Sequence, residues 1–169
     1  VSLTYEPEYN EQVADLVVSA VLNDITSVRV AHRTRKTDGY VENTFLDEDE
    51  PDRSESTTRL TVAFSPTDKL NASLKFESGK FDVNGRQVEI VADEPSLNPA
   101  LLGANYSQVL VGSFGAPVSM LDTELDYKRT SGGDYSNNNT QNFTLTVDYD
   151  FDTFTLTSIT ANVDYDYVE

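Results

Sequence analysis

Carboxylates and aromatic rings are the side chains of this chain that could do chemistry. Four consecutive acids, Asp47-Glu48-Asp49-Glu50, offer the hard oxygen donors that calcium prefers. They lack the glycine-turn spacing of an EF-hand loop, so a solvated loop is the plainer expectation. Asp148, Asp150 and Asp152 recur at every second position, which on an extended strand sets three carboxylates on one face. Ion ligands would use them, and so would a hydrated wall. Tyr106, Phe114, Tyr127 and Tyr135 are the candidate ligand contacts, because aromatic faces take apolar ring surfaces while neighbouring amides fix orientation. Loop packing is their competing use. His32 is the one imidazole, and with no nucleophile–base order around it an ordinary strand position is expected. No catalytic residue, no cofactor and no metal site is expected.

Composition narrows the classes further. The 169 residues carry 29 acids against 12 bases, a net charge of −17, so nucleic acid would be repelled over most of the surface. There is no cysteine, which removes disulfides and thiolate metal sites. A hydrophobic content of 38% is low for a packed core, yet normal for strands whose second face is wet. The most apolar stretch, 13–22, is interrupted by Asp15 and Ser19, so no transmembrane helix is expected.

The elements that must position these residues are strands. Phe143, Leu145, Val147, Tyr149 and Phe151 alternate with Thr144, Thr146, Asp148, Asp150 and Asp152, a period of two that belongs to a strand with two environments. The same pattern places Val28 and Val30 against Arg29, Arg33 and Arg35, and Leu60, Val62 and Phe64 against Arg59, Thr61 and Ala63. Hairpins are expected over 1–20, 57–77 and 141–165, with a bulge near Ser158 where the last strand changes phase. Between them, 38–53 reads as a loop, Asn84-Gly85 as a tight turn, and 100–106 as one short helix. The glycine- and asparagine-rich stretch 131–139 is expected to be mobile. Both ends fall within alternating sequence and no basic leader precedes Val1, so the chain is expected to be cut from a longer one.

Consecutive hairpins imply an antiparallel meander. An Arg or Lys on a barrel's lipid face costs roughly 2–4 kcal/mol, so Arg29, Arg59 and Lys75 are expected to look inward. The turns near 22–26, 65–69 and 150–153 would then share a periplasmic rim, and the excursions 38–53 and 79–141 would lie outside the cell. Tyr149, Tyr165 and Tyr167, near strand ends, fit an interfacial girdle. Asn-x-Ser/Thr triplets at Asn71, Asn105, Asn138 and Asn142 are chance matches in a bacterial protein.

Ser27-Val28-Arg29-Val30-Ala31-His32-Arg33, leading to Thr37-Asp38-Gly39-Tyr40, resembles the early barrel strands of TonB-dependent outer-membrane receptors. Phe81-Asp82-Val83-Asn84-Gly85-Arg86-Gln87 is similar to a later segment of that family, and Thr155-Leu156-Thr157-Ser158-Ile159-Thr160-Ala161 to its strand after a periplasmic turn. The resemblance implies a 22-stranded barrel with an N-terminal plug, importing siderophores, cobalamin or oligosaccharides with energy relayed by the TonB protein.

The expected fold class is therefore all-β: an antiparallel meander of hairpins forming a sector of a large transmembrane β-barrel, with one long irregular extracellular loop. Residues 1–169 are expected to make one partial barrel region, with 79–141 as the inserted loop. The plug and the energy-coupling residues are not in this sequence. The partners implied are outer-membrane lipid, TonB through the missing plug, an external ligand, and other copies of the isolated fragment through its unpaired edges. The expected location is the cell outer membrane, and the expected role is transport without catalysis. The competing class is a secreted or surface carbohydrate-binding β-sandwich, which would bury the Leu60/Val62/Phe64 face against a second sheet. A hydrolase on a β scaffold lacks a recognisable nucleophile–base pair.

Overall fold

The computed structural model describes residues 1–115, 123–130 and 132–169. Among the described residues ten strands run in chain order: β1 (Ser2–Glu6), β2 (Glu11–Asn23), β3 (Thr26–Thr37), β4 (Val41–Asn43), β5 (Glu48–Glu50), β6 (Asp52–Thr67), β7 (Leu70–Asn84), β8 (Lys128–Arg129), β9 (Tyr135–Asp150) and β10 (Thr155–Val168). A 3-10 turn, Pro99–Leu101, and one helix, α1 (Tyr106–Phe114), precede β8. The chain divides into two compact units, one of Val1–Asp38, Asp52–Val83 and Tyr135–Glu169, the other of Gly39–Pro51 and Asn84–Asp134.

The larger unit is a seven-stranded sheet in the order β1-β2-β3-β6-β7-β9-β10, with β1 and β10 as open edges. Each strand lies beside its chain neighbour in this unit, and from β2 onward short and long connections alternate. Local side chains close the short ones. Asn23 Oδ1 accepts from the Ile25 amide at 3.1 Å, Thr67 Oγ1 from Leu70 at 3.1 Å, and Asp150 Oδ1 from Asp152 at 2.8 Å. All three turns lie at the same end of an antiparallel meander. The other end carries the 7–10 turn, where the Glu6 carboxylate accepts from the Glu8 and Tyr9 amides, and the two departures into the smaller unit.

Register assigns the faces. Val18, Val30 and Leu60 lie side by side, as do Ala20, Val28 and Val62. The Arg59–Glu77 and Ser65–Asn71 side-chain bonds put the odd residues of β6 and β7 on one face. Leu60, Val62 and Phe64 therefore share the other face with Ala72, Leu74 and Phe76. The Asp150 amide donates to Lys69 O at 2.8 Å, which brings Phe143, Leu145, Val147 and Tyr149 onto that same apolar face. Arg29, Arg33, Arg35, Arg59 and Lys75 stand together on the opposite face. Toward the long-connection end the apolar face turns polar, with His32 beside Thr58 and Thr34 beside Ser56.

Nothing within this unit covers the apolar face. Among the described residues Val13 is the one buried apolar side chain of the sheet, while Val18, Val30, Leu60, Phe64, Phe76, Phe143 and Leu145 are all exposed. Burying a side chain of this size yields about 1.5–3 kcal/mol, so most of the sheet's hydrophobic stabilisation is unrealised by the sheet alone.

Several expectations are corrected. The bulge near Ser158 is absent, since β9 and β10 pair without interruption from Asp150–Thr155 to Asn137–Val168. The register shift falls instead between Val21 and Asn23. As a result β10 is out of phase with its neighbours. Ile159, Ala161, Val163, Tyr165 and Tyr167 lie on the charged face, and Ser158, Thr160 and Asn162 oppose Val147, Leu145 and Phe143. The stretch from Tyr135 onward is paired strand rather than a mobile tail, because its asparagines are held by the β10 ladder; Ser131 lies outside the described residues. Asn84-Gly85 opens no hairpin. Gly85, at φ +79°, ends β7, and its amide bonds Asp134 O at 2.7 Å.

Of the segments read as loops, 38–53 and 79–141, residues 39–51 and 84–134 build the smaller unit, whereas 52–53, 79–83 and 135–141 are strand residues of β6, β7 and β9 in the sheet. β4 pairs antiparallel with β5 and parallel with β8, setting Glu42 beside Lys128 and Asn43 beside Arg129. The helix expected over 100–106 begins later. Asn98 caps only the 3-10 turn, which Leu102 ends in a left-handed conformation at φ 50°. Asn105 and Gln108 then form a reciprocal capping box that starts α1 at Tyr106.

Candidate functional site

The smaller unit is organised around buried charge. Glu50 is 2% exposed; its Oε1 accepts from Asn43 Nδ2 at 2.7 Å, and its Oε2 lies 3.1 Å from Arg129 Nη1. Arg129 also donates to the Arg86 carbonyl at 2.7 Å and to Asp134 Oδ2 at 2.8 Å. One guanidinium thus ties together three separated stretches of chain. The room for it comes from glycine: a Cβ at Gly39 would strike the Glu50 backbone, and one at Gly85 the Glu50 side chain. Glu50, last of the acidic run weighed for calcium, is committed to this cluster, and Glu48 and Asp49 are strand residues of β5. Among the described residues no three His, Cys, Asp or Glu side chains group as metal ligands.

The four aromatic candidates are dispersed. Tyr106 and Phe114 are the first and last residues of α1, and Tyr127 precedes β8. Tyr135 opens β9 in the sheet unit. All four are exposed. Tyr127 alone has an aromatic partner among them, an edge-to-face contact with Tyr40 at 6.3 Å. It holds a left-handed φ of 62°, costly for a bulky residue. The conformation is fixed from both sides: the Glu89 carboxylate accepts from the Asp126 and Tyr127 amides, and the Tyr127 carbonyl accepts from Glu42. Tyr40, which sequence reasoning did not single out, bonds Gln87 Oε1 through its hydroxyl at 2.7 Å. No local spacing announces a pairing between residues 87 positions apart.

The sheet's charged face is a second candidate surface. Arg33 approaches Asp15 at 3.8 Å, Arg35 bridges Glu11 and Glu55, and Arg59 holds Glu77. Arg29 stands opposite Thr61. The three aspartates of the last turn are engaged locally: Asp148 accepts from Thr157, Asp150 caps the Asp152 amide, and Asp152 pairs with Lys69. At that turn Tyr149 packs at a tilt on Phe151, which stacks on Phe154, with centroids 4.6 and 4.8 Å apart. Tyr165 and Tyr167, expected in the same girdle, stack on each other on the opposite face. His32 Nδ1 meets Thr58 Oγ1 at 2.9 Å, a cross-strand bond. Compared with protein-family models, with curated proteins and with solved structures, the chain matches none.

Proposed function

We propose that this chain forms part of the wall of an outer-membrane β-barrel of the TonB-dependent receptor type, a non-enzymatic importer of a scarce external ligand. The observation that carries the reading is the uncovered apolar face of a single-layer antiparallel sheet, with Arg29, Arg33, Arg35, Arg59 and Lys75 on the other side. Such a face meets hydrocarbon in a barrel wall, and the charged face meets water. Central strands of 12 to 16 residues exceed the 9–11 or so that cross a bilayer, leaving polar extensions beyond it. The apolar stretch from Phe143 to Tyr149 is about 20 Å long at 3.4 Å per residue, approaching the roughly 25 Å lipid band of known barrels. Alternating short turns and long excursions match the two sides of an outer membrane, and the packed Tyr149, Phe151 and Phe154 suit its interface. β10 stands against the pattern, because Thr160 and Asn162 share the apolar face.

Single cysteines test the reading cleanly, since the chain has none of its own. In membranes, a membrane-impermeant maleimide is expected to label positions 61, 75 and 144 and to miss 62, 74 and 145 until detergent disperses the bilayer. Equal labelling of both sets sinks the proposal. Protection of 62, 74 and 145 in lipid-free buffer identifies the β-sandwich instead.

A further inference from the structure

Most cations of the sheet are matched by acids: Arg33, Arg35, Arg59, Lys69 and Lys80 each have a carboxylate within reach. On the charged face Arg29 and Lys75 have none among the described residues, as Lys36 has none on the other, in a chain where acids outnumber bases 29 to 12. Arg29 and Lys75 lie in one cross-strand row. Arg29 faces Thr61, and Thr61 and Lys75 sit one step along the same face from the bonded Arg59–Glu77 pair. Two strand spacings, about 10 Å, separate the charges. A hollow of about 300 Å³ adjoins Arg29, floored by Ser19, Ser27, Thr61 and Ala63, so small side chains leave the guanidinium uncovered.

We propose that this row is a docking site for an acidic polypeptide segment, with one carboxylate seated on Arg29 and a second on Lys75. Two unmatched cations call for anions, and the planar Arg fork takes a carboxylate bidentately. The spacing favours a chain over a small ion. No single carboxylate or phosphate group bridges 10 Å, whereas acids three residues apart on a polyproline-II segment lie on one face and span about 9 Å. Ser19, Ser27 and Thr61 supply hydroxyls for such a segment's backbone. The net charge of −17 does not forbid the contact: Asp15 and Glu77, the acids nearest along this face, are held by Arg33 and Arg59, and distant charge is screened beyond about 8 Å at physiological salt. The site does not rest on the barrel reading, because the row exists wherever the sheet is placed.

The test is fluorescence anisotropy of the intact chain with a short labelled peptide carrying Asp at every third position, and with its Asn counterpart. Arg29→Ala and Lys75→Ala are each expected to weaken binding of the Asp peptide about tenfold, with R29K intermediate because the fork is lost. Lys36→Ala, on the other face of β3, is expected to leave binding unchanged. Equal binding of the Asn peptide overturns the proposal, as does an equal loss in K36A. Displacement of the peptide by an equal concentration of citrate assigns the row to small anions and overturns it too.

Discussion

The seven-stranded sheet and the smaller unit solve the problem of stability in opposite ways. The sheet has long ladders and abundant apolar side chains, yet it buries only Val13 among its described apolar residues. The smaller unit has short strands and a similar share of apolar residues, yet it buries Val41, Asn43 and Glu50 almost completely. Its interior is a polar cluster in which each charge has a partner, the condition under which buried ions are tolerated. The contrast teaches that the sheet's apolar face finds no cover within its own unit, while the smaller unit carries its own interior. Each half of that statement can be broken separately.

The largest effect belongs to the smaller unit. Arg129→Ala leaves Glu50 buried and unpaired, a change that costs about 3–5 kcal/mol in buried ion pairs. Hydrogen exchange is expected to show protection lost over β4, β5 and β8 while the β3 and β6 amides keep theirs. If β4 and β5 stay protected, Glu50 is stabilised by something other than Arg129.

Next comes the apolar face of the sheet. Val62→Arg or Leu74→Arg puts a cation where Val28, Val30 and Leu145 cluster, and in a bilayer the expected cost is about 2–4 kcal/mol. Thr61→Arg, one residue away on the charged face, is expected to cost close to nothing. Denaturant titration in lipid vesicles measures both, and equal costs at 61 and 62 would erase the distinction between the faces.

That distinction was legible before any coordinates, because period-two alternation in β3, β6, β7 and β9 states which residues share a side. Register was less legible. In β10 the change of phase at Ser158 reads equally well as a bulge or as a strand presenting its apolar residues to the other face, and continuous pairing with β9 decided for the second. The smaller unit was almost illegible. Asn43, Glu50, Arg86, Arg129 and Asp134 are scattered over 92 positions, and only folding makes them neighbours; Gly39 lay in a stretch read as a loop and Gly85 in one read as a tight turn, when the role of both is to admit Glu50. The start of α1 is a different kind of miss, since Asn105-x-x-Gln108 is a capping box that the sequence displays openly.

Asn105→Ala turns that lesson into a smaller test. It removes the acceptor for the Gln108 amide at 2.9 Å, and cap losses of this kind cost about 1 kcal/mol. None of α1 is buried, so little packing compensates. Amide exchange is expected to accelerate over 106–110 alone, and an unchanged helix would mean that α1 is held by contacts beyond its own cap.

The smallest effect is a pH dependence at the same helix end. Asp93 is held below the ordinary carboxylate range, chiefly by the Ser107 side chain, which outweighs desolvation and is joined more weakly by the Ser107 and Tyr106 amides. Its Oδ1 accepts from the Ser107 amide at 3.1 Å, in the first turn of α1, where a negative charge also complements the helix dipole. A carboxyl whose pKa is lowered by folding stabilises above its unfolded value and loses that contribution as the pH falls through its folded one. The start of α1 is therefore expected to loosen as the medium is acidified below the ordinary carboxylate range, and Asp93→Asn to abolish that dependence while leaving exchange in the sheet unchanged. Chemical shifts of the 106–108 amides followed through an acid titration read both outcomes. A titration that looks the same in D93N would assign the effect to another group of the smaller unit and leave the charge at this helix end without a role in the contrast with the sheet.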